Sequence, residues 1–194
     1  MKACLAAVAL AFLFVTAPLL AHEPLAVKPL AERTVDSLPD GTLSWRIENF
    51  ADLPSAQAAA GQWSLAVEAA GKVWLFTLVG DAPGAARGSQ VAQVGPIARL
   101  SAPRYLLRIN QATGAPGTQT PIHTHPGSEA FYVLRGEQSI RGPSETLRVR
   151  AGQAEAGRGG DVPMQVSSSG DTDLVALVMF VVDATRPFSS PANF

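Results

Sequence analysis

Residues 117–136 read GTQTPIHTHPGSEAFYVLRG and place two of the chain's three histidines, a carboxylate and bracketing glycines in a fixed order. Successive side chains of an extended strand point to opposite faces, so His123 and His125 project to one side and Thr124 to the other. Two imidazoles on one side can hold one ion. Pro126, Gly127 and Ser128 are turn formers, after which Glu129 opens an apolar run through Arg135 and can swing back toward the histidines. The segment therefore predicts a strand, a bend and a second strand that gather two nitrogens and one hard oxygen.

The rest of the chain keeps a strand rhythm. Residues 43–50, 62–68, 72–79, 91–100, 104–110, 137–140, 146–150 and 174–182 are short apolar or alternating runs punctuated by glycine and proline. Residues 55–60 suit a short helix, and Ala-Ala-Gly between 68 and 72 predicts a hairpin with a three-residue loop. Residues 22–42, rich in proline and mixed charge, show no sustained period and read as an exposed lead-in. Residues 174–182, LVALVMFVV, form the most apolar run after the N-terminal segment and predict the strand that closes the core. The proline-rich residues 184–194 read as a surface tail. Almost no helical period interrupts this pattern, which predicts an all-β fold, an antiparallel jelly-roll barrel with additional N-terminal strands.

Residues 117–136 resemble the first motif of the cupin superfamily: glycine, five residues, His-x-His, three or four residues, Glu, six residues, glycine. Gly117, His123, His125, Glu129 and Gly136 match each fixed position. The family's second motif is present in outline. Gly152 opens it and Gly160 is in place, while PMQVSSSGDTDL, residues 163–174, resembles its usual ending. Aligned on Pro163 and Gly170-Asp171, Met164 stands where the third histidine belongs; aligned on the two glycines, Pro163 does. Neither alignment supplies a third histidine. The resemblance covers residues 104–183 and implies a cupin barrel there, with residues 43–103 packed on it as extra strands.

What the resemblance implies for chemistry is a divalent transition metal, iron, copper, manganese, nickel or zinc, on His123, His125 and Glu129. Met164 would be a softer fourth ligand or, alternatively, a hydrophobic plug in place of a metal site. Glu129 is also the candidate catalytic residue, because a carboxylate in an apolar setting can move a proton near neutral pH. Three functions follow: a metal-dependent oxygenase, such as a dioxygenase, acting on a small organic molecule beside Phe131 and Val133; a non-catalytic small-ligand or copper-binding cupin; or a structural barrel with a relic site. A homodimer is the protein partner that paired jelly-roll sheets suggest.

Composition bounds the remaining classes. At 194 residues, 47% of them hydrophobic, the chain can bury one sizeable core. Its net charge of −1 and scattered Lys and Arg argue against nucleic acid. Residues 1–21 carry one early lysine, an apolar stretch and a small residue at the end, the pattern of a secretory signal peptide. This predicts export to the periplasm or medium, with no stable membrane insertion after cleavage. Cys4 is the only cysteine and falls inside that segment, so no disulfide is expected. Cleavage after Ala21 would expose His22 as an amino-terminal copper ligand, an arrangement weighed against a signal that simply ends there. Trp63, Trp74 and Phe76 read as packing residues, with an aromatic ligand platform as the alternative. Arg104 and Arg108 read as solvated, with an acidic-substrate pocket as theirs.

Overall fold

The computed structural model describes residues 24–194. Residues 1–21, read above as a signal peptide and including Cys4, and His22 lie outside them. No helix of the described residues is long and apolar enough to cross a membrane.

The elements in chain order are β1 (Ala26–Val35), β2 (Leu43–Phe50), α1 (Leu53–Ala59), β3 (Ser64–Ala69), β4 (Lys72–Val79), β5 (Ser89–Ile97), β6 (Tyr105–Gly114), β7 (His123–Thr124) and β8 (Gly127–Arg135). There follow β9 (Glu137–Arg141), β10 (Thr146–Arg150), β11 (Ala154–Ala156), β12 (Gln165–Ser168), β13 (Leu174–Asp183) and β14 (Ser190–Pro191). They form antiparallel sheets ordered β1-β6-β13-β8-β11, β10-β9-β12, β14-β7 and β3-β4-β2-β5. The fold is all-β and of the jelly-roll kind, as expected.

β13 is the middle strand of the five-stranded sheet, paired with β6 on one side and β8 on the other. Its continuous apolar sequence has a structural cause: both faces are covered. Leu177, Met179 and Val181 face a core shared with Trp45, Ile47, Trp74 and Phe76 of the N-terminal sheet. Ala176, Val178, Phe180 and Val182 face a second core with Phe131, Val133, Ile140 and Val166. The molecule is thus layered, with the five-stranded sheet between the N-terminal sheet and the β10-β9-β12 sheet. The five-stranded sheet and the β10-β9-β12 sheet enclose the candidate site.

The jelly-roll sheets face one another without closing into one continuous ladder among the described residues. At Gly136, between β8 and β9, the chain turns from one sheet to the other. Its φ is 77°, and a Cβ there would stand 2.9 Å from the Asp173 carbonyl oxygen, so glycine suits this corner.

Three expectations need correction. Within residues 22–42, read as an exposed lead-in with no sustained period, the structure has β1, a ten-residue edge strand on β6. Its side chains are mostly exposed, so no apolar alternation marks it; the ladder with β6 supplies the order. Pro29 is tolerated there because the register shifts between Pro29 and Ala31 and the strand is an edge. The β3–β4 hairpin has a two-residue loop, Ala70-Gly71, with φ of 50° and 72°. Two positive φ values at these positions make the primed turn that matches strand twist. Residues 184–194 do more than cover the surface: β14 pairs with β7 and carries Phe188 to the candidate site.

Trp74 and Phe76 are buried and stack on each other, and Trp63 donates its Nε1–H to the Ser37 carbonyl at 2.8 Å. They are packing residues. On the opposite face of β2, Arg46 and Glu48 form a buried pair at 3.2 Å. Glu48 Oε1 accepts the Arg87 and Gly88 amides at 2.6 and 2.8 Å, and Arg46 Nη1 donates to the Pro83 and Gly84 carbonyls. The pair thereby fastens the loop before β5 onto the sheet. Glu48→Ala leaves a buried guanidinium and two amides without their acceptor. It should cost about 3–5 kcal/mol in urea denaturation, with the Arg46→Met/Glu48→Leu double variant costing less.

Candidate metal and ligand site

His123, His125 and Glu129 line one cavity of about 410 Å³ between the middle and outer sheets. Most of its wall is apolar. Leu25, Ala112, Phe131, Val166, Val178 and Phe180 contribute from the two sheets and from the residue before β1, and Phe188 arrives from the tail. Of the two residues beside which the sequence reading set the small molecule, Phe131 lines the cavity, whereas Val133 shares its strand face and lies in the second core without lining it.

The two histidine rings lie edge to face with centroids 4.9 Å apart. His123 Nδ1 is 2.8 Å from the Pro121 carbonyl oxygen, and His125 Nδ1 is 2.7 Å from that of Phe188. A carbonyl only accepts, so Nδ1 carries the proton in each contact. In the neutral ring the lone pair is then left on Nε2. His125 also packs against Phe180 and Phe188, whose centroids lie 4.9 and 4.7 Å from its own. Burial lowers its pKa to about 4; the Phe188 hydrogen bond opposes the shift, while His123 and Arg108 add to it. It is neutral at physiological pH.

Glu129 is 2% exposed on β8. Gly157 crosses so close that a Cβ there would lie 2.5 Å from Glu129 Cγ. Oε1 has no hydrogen-bond partner among the described residues. Burial pushes the carboxyl's pKa up to about 8, with the Arg158 charge pulling the other way. At neutral pH the carboxyl mostly holds its proton.

Met164 faces His123 across an antiparallel bridge, each amide donating to the other's carbonyl at 2.9 Å. Directly opposite residues put their side chains on the same face. Yet Met164 is 1% exposed, belongs to the apolar cluster with Ile140, Val149 and Val166, and is not among the cavity-lining residues. Among the described residues, no three His, Cys, Asp or Glu side chains converge closely enough to hold one ion. The two imidazoles, each with Nε2 left free, and Glu129 thus line one cavity without forming a three-ligand set; the imidazoles are the pair that could serve as ligands.

Arg104 pairs with Asp36 at the surface. Arg108 pairs with Glu32, and its guanidinium carbon lies 4.2 Å from the Phe188 ring centroid. Neither arginine lines the cavity. The sequence reading missed Asn110, a cavity-lining residue only 2% exposed whose Oδ1 has no partner among the described residues. Its place on the Leu106 and Arg108 face of the alternating β6 strand was the available signal. Phe188 was missed as well, because nothing in a short proline-containing tail marks the direction in which it folds back.

Residues 111–180 match the family model described as Cupin domain. That stretch is a cupin domain. Similar solved structures include a cupin-like protein from Thermotoga maritima, 17% identical with a TM-score of 0.40, the match covering 45% of this chain and 65% of that one. Another is a conserved protein with a double-stranded β-helix domain from Klebsiella pneumoniae, 18% identical with a TM-score of 0.39, over 45% of this chain and 76% of that one. A third is the DMSP lyase DddQ from Ruegeria pomeroyi, 21% identical with a TM-score of 0.38, over 44% and 43%. The chain thus spans less than two thirds of the Thermotoga protein and under half of the lyase. No curated protein matches it.

The two perturbed groups give the metal-free cupin opposite pH dependences. For His125 the folded pKa lies below the unfolded value of 6.5, so stability is lost as pH falls from 6.5 toward 4. For Glu129 the folded pKa lies above the unfolded value of 4.5, so stability is lost as pH rises from 4.5 toward 8. The slopes oppose each other where these ranges overlap, and above pH 6.5 only that of Glu129 remains. Urea denaturation of chelator-treated protein should show stability falling between pH 6.5 and 8, by at most about 1.4 kcal/mol per pH unit. Glu129→Gln should flatten that limb.

Proposed function

We propose that the protein is an exported, metal-dependent cupin that acts as an oxygenase on a small organic molecule held in the interior cavity. The observation that carries this reading is the commitment of both Nδ1 atoms to backbone carbonyls. Metal-binding imidazoles characteristically donate their second ring N–H in this way, which fixes the ring and leaves Nε2 for the ion. The lowered pKa of His125 supports the same role, because a protonated imidazole cannot ligate.

His123 and His125 would hold the ion, and imidazoles with a carboxylate at hand suit iron, copper, zinc, nickel or manganese. Such an ion would supply Lewis-acid chemistry or, with iron or copper, activation of oxygen. Glu129 handles the proton. A carboxyl whose pKa is near 8 can give or take one at neutral pH, and its position on the cavity wall puts that proton within the space a substrate would fill. The apolar walls hold the organic part and exclude water. Export rests on the composition of residues 1–21.

A second reading is a non-catalytic cupin that binds a small ligand or copper. It is favoured by Met164, which stands where the family places a third histidine and packs into the apolar cluster.

The test is the metal content of untagged protein from the exported fraction, beside the His123→Ala/His125→Ala variant. Near-stoichiometric metal in the wild type, lost in the variant, is the expected result. Absence of metal from both after reconstitution with iron, copper and zinc would overturn the metal reading. Bound metal with no oxygen uptake across small alcohols and phenols would move the assignment to the second reading.

A further inference from the structure

The cavity that the proposed function treats as the working site has an uneven chemistry. Its walls are almost wholly apolar, yet Asn110 Oδ1 and Glu129 Oε1, both on cavity-lining residues, have no hydrogen-bond partner among the described residues. Buried polar atoms are nearly always paired, so two orphans on one cavity wall point to a partner supplied by whatever occupies it.

Their spacing follows from the register. Asn110 on β6 faces Val178 of β13, and Val178 faces Phe131 of β8; Glu129 lies two residues from Phe131 and opposite Phe180. The two polar residues thus flank β13, two strand spacings apart, ~10 Å across the sheet before their side chains reach inward. One small polar group does not span that interval.

Charge narrows the class further. The nearby cations are committed elsewhere, Arg108 to Glu32 and Arg158 to Glu145, and neither lines the cavity. An anionic ligand would have no free cation to meet on the wall. A cationic one would be repelled by both, since the charge of Arg108 is felt at His125 and that of Arg158 at Glu129 on the wall. Gln138 and Ser168 are further unpartnered residues, cross-strand neighbours on β9 and β12, but they do not line the cavity and carry no part of the argument.

Resting on the reading of this cavity as the working site, we infer that its ligand is a neutral, largely apolar molecule with hydroxyl groups at two separated points, one meeting Asn110 and the other Glu129. A hydroxyl can donate and accept, so it satisfies either wall group. The rigid body between the hydroxyls packs against Phe131, Val178 and Phe180.

The experiment is a naphthalene series titrated by calorimetry into metal-free protein and repeated on metal-loaded protein: 2,6-dihydroxynaphthalene, 2-naphthol, 2,6-dimethylnaphthalene, 2,6-naphthalenedicarboxylate and 2-naphthylmethylamine. Each hydroxyl should tighten binding by roughly five- to tenfold over the methyl it replaces, in the range of single buried hydrogen bonds. The dicarboxylate and the amine should bind weakest. Asn110→Leu removes an orphaned group at similar volume and should bring the diol to the affinity of 2-naphthol while leaving the dimethyl compound unchanged. Equal affinity of the diol and the dimethyl compound, tightest binding by a charged probe, or no binding by any probe would each overturn the inference. Metal content is measured separately, so a failed metal reading shows as missing ion with the probe ranking intact, and a failed ligand inference shows as the reverse.

Discussion

The architecture depends on one strand being buried on both faces. β13 supplies alternate residues to two apolar cores, and neither core is complete without it. A strand of this kind cannot be half-solvated; it must have a layer above and a layer below, and the order of the chain supplies them from opposite ends. The N-terminal strands fill one side. The segment from β9 to β12 fills the other, leaving between itself and β13 the space that the histidines and Glu129 line.

Desolvation in that space acts on two groups at once and in opposite chemical senses. It withholds a proton from His125 and retains one on Glu129, so both are uncharged around neutral pH. With these two groups uncharged, apolar walls are tolerated around them, and the His125 imidazole keeps a lone pair available without an acidic neighbour fixed against it. From outside the cavity wall Arg108 adds to the shift at His125 and Arg158 opposes the one at Glu129, each arginine already paired with a glutamate.

Much of this was legible in the sequence because it was written as local pattern. The run at residues 174–182, the bounds of β2 and β4 and the spacing from Gly117 to Gly136 each declare themselves within a short window. What was not legible depends on distant partners. β1 has an exposed pattern and is ordered by the edge of β6; Phe188 reaches the cavity because β14 pairs with β7. The Arg46–Glu48 pair reads as ordinary surface charge until the loop at residues 81–88 is laid across it. Asn110 is polar on a strand whose polar face the sequence assigns to solvent, and the layer that covers that face comes from later in the chain.

The tether between the tail and the site divides two duties within one residue. At position 188 the carbonyl orients the His125 imidazole, while the phenyl ring forms part of the cavity wall. Every amino acid offers that carbonyl, so the hydrogen bond that orients the imidazole does not depend on which side chain stands at 188. The shape of the cavity can therefore change at this position while the nitrogen chemistry stays where it is, and the tail becomes a place where ligand preference can drift without the site being rebuilt.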